Sequence, residues 1–122
     1  MTGHLTDIAG QFRARLRDDL KAAMQTRDSL TVGVTRSLIA AIDNAQAVKL
    51  ENAGEPYTQR AFGSNGTETA RGELTSKSLG ALLEREAGER RQAADILAAH
   101  GRDEEAEVLR AEAEIVDQYR RA

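Results

Sequence analysis

The residues that could do chemistry in this chain are mostly carboxylates and guanidinium groups, because the usual reactive side chains are scarce. There is no Cys, and the only His residues are His4 and His100. Disulfides and thiolate metal sites are therefore excluded. No Gly-x-Ser-x-Gly elbow is present. Gly63-Ser64-Asn65-Gly66 lacks the Lys-Ser/Thr ending of a phosphate-binding loop. A di-iron site on paired helices needs Glu-x-x-His. Here Leu97 stands three before His100 and Asp95 is off that register, while His4 sits near the chain end. The residues thus nominate no catalytic group, no metal ligand and no cofactor.

What remains is a set of charges on apolar faces. Glu86 and Arg90 fall in line with Leu79, Leu82, Leu83 and Leu97. They are four apart with the acid first, the favoured order for a helical ion pair. Glu112 falls in line with Val108, Ile115 and Tyr119. If both stripes face one core, Glu86, Arg90 and Glu112 meet in or beside it. An unpaired charge there would cost several kcal/mol, so pairing is expected. Either these groups fix how helices pack, or they rim a groove that receives a partner.

The elements that must position them follow from apolar spacing. Leu5, Ile8, Phe12, Leu16, Leu20 and Met24 make one helical stripe, with Thr6 or Asp7 as cap. Arg13, Arg15, Arg17 and Lys21 lie off it and read as a solvated face. After a polar break at 26–29, capped by Asp28 or Ser29, a second helix carries Leu30, Val34, Leu38, Ala41, Ile42 and Ala45. Val32 and Ile39 widen its apolar face, which suits a central position. Gly33 inside it implies close helix contact or a nearby start.

Periodicity is lost over 52–72, a stretch holding the single Pro and several Gly. A long, disordered loop is expected at 52–73. Asn65-Gly66-Thr67 in it matches a glycosylation sequon, but no export signal accompanies it. A third helix opens at Leu74-Thr75, capped by Thr75 or Ser76, with Leu79, Leu82, Leu83, Ala87, Ala93, Ala94 and Leu97 inward. It ends at His100-Gly101, where Gly suits a left-handed turn. Asp103 is a good starter for the fourth helix, whose stripe is Val108, Leu109, Ile115, Val116 and Tyr119. The sum is an all-α single domain: a four-helix bundle made of two helical hairpins.

Composition sets the partner classes. At 122 residues, one modest core is expected. Aromatic residues make up 3%, so that core is Leu, Ile, Val and Ala. Net charge is −3, which excludes a polybasic nucleic-acid arm but leaves local Arg patches open. No apolar run reaches the ~20 residues of a membrane span. With no Cys and no secretory signal, the expected location is cytoplasmic.

The third and fourth helices carry a resemblance. The run from Arg90 to Tyr119 is similar to the signature of the GatB/YqeY family, with Glu86, Arg90, Arg91, Gly101, Arg102, Glu112, Glu114, Ile115 and Tyr119 at matching positions. The second helix, from Arg36 to Asn44, resembles the family's Arg-x-Leu-Leu-Ala-Ala-Ile-x-Asn, and residues 18–24 also resemble it. The family includes small stand-alone proteins and the tail domain of the GatB component of the glutamine-dependent aspartyl/glutamyl-tRNA amidotransferase.

This chain departs from the pattern after Tyr119. Members usually continue Tyr-Leu-Pro into a second small helical subdomain, whereas here Arg120-Arg121-Ala122 follow. Glu105 stands where an apolar residue is expected, and the 52–72 loop is longer than usual. The resemblance implies a module that binds tRNA or a tRNA-processing enzyme, with Arg36, Arg90, Arg91 and Arg102 as phosphate contacts. A carbon–nitrogen ligase label with glutamine as amido donor is attached to the family, but no residue here supports it. The alternative is a protein-interaction or homo-oligomerisation module whose open helix face is covered by another chain.

Overall fold

The computed structural model describes residues 7–54 and 74–122. These form four α-helices and no strand: α1, Ile8–Thr26; α2, Ser29–Gly54; α3, Ser76–Ala99; and α4, Asp103–Arg121. α1 pairs with α2, α3 pairs with α4, and α2 packs against all three others. The expected bundle of hairpins is therefore the fold, with α2 at its centre. Of the loop expected at 52–73, residues 52–54 instead continue α2. The remainder of that loop lies outside the described residues.

Each of the first three helix starts is set by a short polar side chain. Asp7 caps α1 by accepting from the Gly10 N–H at 3.0 Å. That contact explains a small residue at position 10, since an added Cβ would lie 2.3 Å from Asp7 Oδ2. Asp28 caps α2, accepting from the Thr31 N–H at 3.2 Å and from the Thr31 hydroxyl at 2.7 Å. These bonds, the hydroxyl's first, hold the exposed Asp28 carboxyl below its usual pKa. Thr75 and Ser78 form a reciprocal capping box at the head of α3. Leu74 before it and Leu79 within it are both buried, the arrangement of a hydrophobic staple. α4 departs from expectation. Arg102 is its cap residue and makes no side-chain cap bond, while Asp103, Glu104 and Glu105 fill the first turn, where the helix dipole favours acids.

Both hairpin turns use one hydrogen-bond pattern. At the α3/α4 turn the Gly101 N–H donates to the Ala98 carbonyl and the Arg102 N–H to the Leu97 carbonyl, each at 2.9 Å. At the α1/α2 turn the Arg27 N–H donates to the Met24 carbonyl at 3.3 Å and the Asp28 N–H to the Ala23 carbonyl at 2.8 Å. Both are Schellman closures around a left-handed residue. Gly101 has φ +78° and Arg27 has φ +59°.

The core joins Leu16 of α1, Val34, Leu38 and Ile42 of α2, Leu79, Leu82, Leu83 and Ala87 of α3, and Ala113, Val116 and Tyr119 of α4. Full burial of each Leu or Ile is worth ~1.5–3 kcal/mol. Two stripe assignments fail. Met24 and Val108 are about half exposed. Their places are taken by Ala23 on α1 and by Ala106 and Ala113 on α4, all buried. Alanine gives a faint signal in a sequence, yet it lets paired helices approach closely. Gly33 makes no close helix contact, because a Cβ built there meets nothing within 4 Å.

Candidate functional site

The α3/α4 hairpin concentrates charge on its inner side. Arg90 lies on α3 one turn after Glu86 and faces α4. Its Nη1 donates to Glu86 Oε1 at 2.9 Å and to the Glu86 carbonyl at 3.1 Å. Its Nε donates to Glu112 Oε1 at 3.2 Å, and its Nη2 to Ser37 Oγ on α2 at 2.9 Å. The side chains of Arg90, Glu86 and Glu112 are 13%, 17% and 26% exposed. One guanidinium thus ties α3 to α4 and the hairpin to α2, with all three of its nitrogens engaged. The planar fork of Arg makes such a three-way junction possible.

A second network lies nearer the end of α4. Arg91 Nη2 donates to Asp117 Oδ2 at 2.5 Å and lies 3.9 Å from Glu114 Oε1. Asp117 is buried, and its Oδ1 has no hydrogen-bond partner among the described residues. Arg120 Nε lies 3.8 Å from that oxygen. Farther along the hairpin, Arg110 bridges to Asp95 at 3.2 Å. Arg102 is exposed and pairs with Glu105 three residues on, at 2.5 Å.

Of the four arginines nominated for contact with a partner, the fold uses three in ion pairs. Arg90 is enclosed and saturated. Arg91 and Arg102 are paired yet still reach solvent. Only Arg36 is both exposed and without an ion pair among the described residues. Glu86, Arg90 and Glu112 are brought into direct contact, with Gly101 closing the hairpin that joins them.

Ser37 and Asp117 take part in these networks without being among the residues nominated from sequence. Ser37 sits between Val34 and Ala41 at helical spacing, so its place on the inner face was visible. Asp117 follows the Ala106–Ala113 row, which is masked by the larger Val108 nearby.

No protein-family model matches the chain, and no curated protein or solved structure matches it.

A third polar cluster, around Tyr119 at the same end of α4, crosses between the hairpins. The Tyr119 hydroxyl donates to Asp19 Oδ2 on α1. The Tyr119 ring meets Phe12 edge-on, with centroids 5.6 Å apart. Arg15 lies over the same ring, its Cζ 4.9 Å from the centroid. Burial, together with the acceptor carboxylate, raises the Tyr119 pKa well above the usual phenol value. This residue closes the α1–α4 contact by packing on one side and hydrogen bonding on the other. Among the described residues no group of His, Asp and Glu is arranged to hold a metal ion, and no helix is long and apolar enough to cross a membrane.

Proposed function

We propose that the chain is a non-catalytic helical interaction module of the kind its GatB/YqeY resemblance implies, acting in the cytoplasm on a protein of the tRNA-processing machinery. The observation that carries the choice of a protein partner is the internal pairing of Arg90, Arg91 and Arg102. Guanidinium groups already neutralised by carboxylates on the same hairpin gain little from a phosphate. With a net charge of −3, the chain has no positive excess to offset that loss. Amide-transfer chemistry is assigned to other chains, since among the described residues no nucleophile stands beside a placed base.

Direct tRNA binding is the second reading, and the Arg36 guanidinium, exposed and outside any ion pair among the described residues, is what favours it. A filter-binding titration with bulk tRNA at low salt separates the two. Protein docking predicts no saturable binding, and capture of a tRNA-processing enzyme from native extract that survives nuclease treatment. Saturable tRNA binding that falls steeply with salt and is weakened in Arg36→Ala would replace it with the second reading. Glutamine hydrolysis by the purified chain would overturn the non-catalytic assignment.

A further inference from the structure

Between α1, the start of α2 and the end of α4 lies an open cleft of about 380 Å³. That is within the size range of small-molecule sites. Arg15 and Asp19 both line it. They are one helical turn apart on α1, a spacing at which opposite charges commonly pair. They do not pair here. Asp19 takes the Tyr119 phenol, and Arg15 lies on the Tyr119 ring with no carboxylate or carbonyl partner among the described residues. One cleft therefore presents a cation and an anion that both touch one tyrosine without pairing with each other.

The remaining lining sharpens the chemistry. Thr26 and Thr31 direct their hydroxyls to acceptors within the fold. Asp28 uses one acceptor site of each carboxylate oxygen on Thr31. The donors left over are the Arg15 guanidinium and the exposed Gln118 amide. The acceptor capacity left over is on Asp19 and Asp28, since each carboxylate oxygen has two sites. Ala22, Ala23 and Ile115 add apolar surface beside them. A simple anion would meet two carboxylates and one guanidinium, a poor balance. A simple cation would leave Arg15 unanswered.

We propose that this cleft binds a small zwitterion, an α-amino acid or a molecule with the same adjacent ammonium and carboxylate, its carboxylate on Arg15 and Gln118 and its ammonium toward Asp19. The proposal is independent of the protein-docking reading above. Its test is a nitrogen-edited NMR titration of the full chain with L-alanine, L-alanine methyl ester and N-acetyl-L-alanine. L-Alanine gives saturable shifts at Arg15, Gln118 and Tyr119, and each blocked derivative binds about tenfold more weakly or worse. Arg15→Gln produces a loss of similar size, while Lys21→Gln, the same charge change on an exposed part of α1, leaves binding intact. Absence of saturable shifts with L-alanine overturns the proposal. So does a methyl ester that binds as well as the free amino acid, or a Lys21→Gln loss equal to that of Arg15→Gln. The derivative series uses the unaltered chain, so it decides the question even if Arg15→Gln folds poorly.

Discussion

The two hairpins close with the same backbone hydrogen bonds but are held by different means. α1/α2 relies on large apolar side chains, with Leu16, Val34, Leu38 and Ile42 fully buried. Its cross-strut is Arg13, which donates to Asp43 at 2.9 Å and also to Gln46. α3/α4 buries Ala87, Ala94, Ala106 and Ala113 beside its larger apolar residues and adds cross-helix ion pairs at Arg90, Arg91 and Arg110. Packing tolerates imprecision by small shifts of many contacts. A guanidinium with three partners does not. In a chain poor in aromatic bulk, charge therefore fixes the orientation of the hairpin that α2 must receive.

Arg90 is where the contrast between the hairpins is greatest, and removing it has the largest expected effect. Arg90→Ala leaves Glu86 and Glu112 facing each other with no cation, and Ser37 without its donor. Breaking a buried pair on one side costs about 3–5 kcal/mol, and the partial exposure of this cluster brings the expectation to about 2–3 kcal/mol. Arg110→Ala, which removes an exposed pair of the same hairpin, costs under about 1 kcal/mol. Urea denaturation of both variants checks the ratio; equal losses would mean that burial is not what distinguishes Arg90.

Tyr119→Phe probes the joint between the hairpins. Loss of a hydrogen bond to a carboxylate is worth about 1.5 kcal/mol. The same residue imposes a pH dependence. Its phenol pKa is raised by folding, so the unfolded chain releases that proton first as pH rises above 10.0. The stabilisation is complete below that pH and declines above it. Melting curves across the alkaline range should show a steeper fall for the native chain than for Tyr119→Phe.

The two turns supply the smallest effects, and their signs are opposite. Gly101→Ala forces a side chain into left-handed backbone and costs about 1 kcal/mol. Arg27→Gly relieves the same strain and gains something under about 1 kcal/mol after the added freedom of the unfolded chain is counted. Gly33→Ala, in open space on α2, gains about 0.5–1 kcal/mol. Thermal melts of Gly101→Ala and Arg27→Gly test whether the turns are equivalent in all but residue type, and a melt of Gly33→Ala checks the gain on α2.

These same residues show how much was legible. Gly101 announced its turn because glycine is the usual left-handed residue, and the break at 26–29 was visible as a polar gap. The left-handed Arg27 was not, because tertiary closure overrides its preference. Glu86, Arg90 and Glu112 were found together because each is a charge on an otherwise apolar stripe. The guanidinium groups assigned to a partner were chosen by resemblance, and their spacing says nothing of which acids lie opposite. Asp117 and Ser37 depended on reading alanine and serine as inward residues, which a search for large apolar side chains passes over. The cleft depended on knowing that Tyr119 meets both Arg15 and Asp19, a fact of packing between elements far apart in the chain.

One guanidinium ties α3 to α4 and both to α2. The decisive check is a double-mutant cycle of Arg90→Ala and Glu112→Ala, read by urea denaturation. The expected result is a coupling of about 1 kcal/mol or more, with the double variant more stable than additivity of the two single losses allows. Strictly additive losses, or two single variants as stable as the native chain, would place these side chains in free solvent and contradict it.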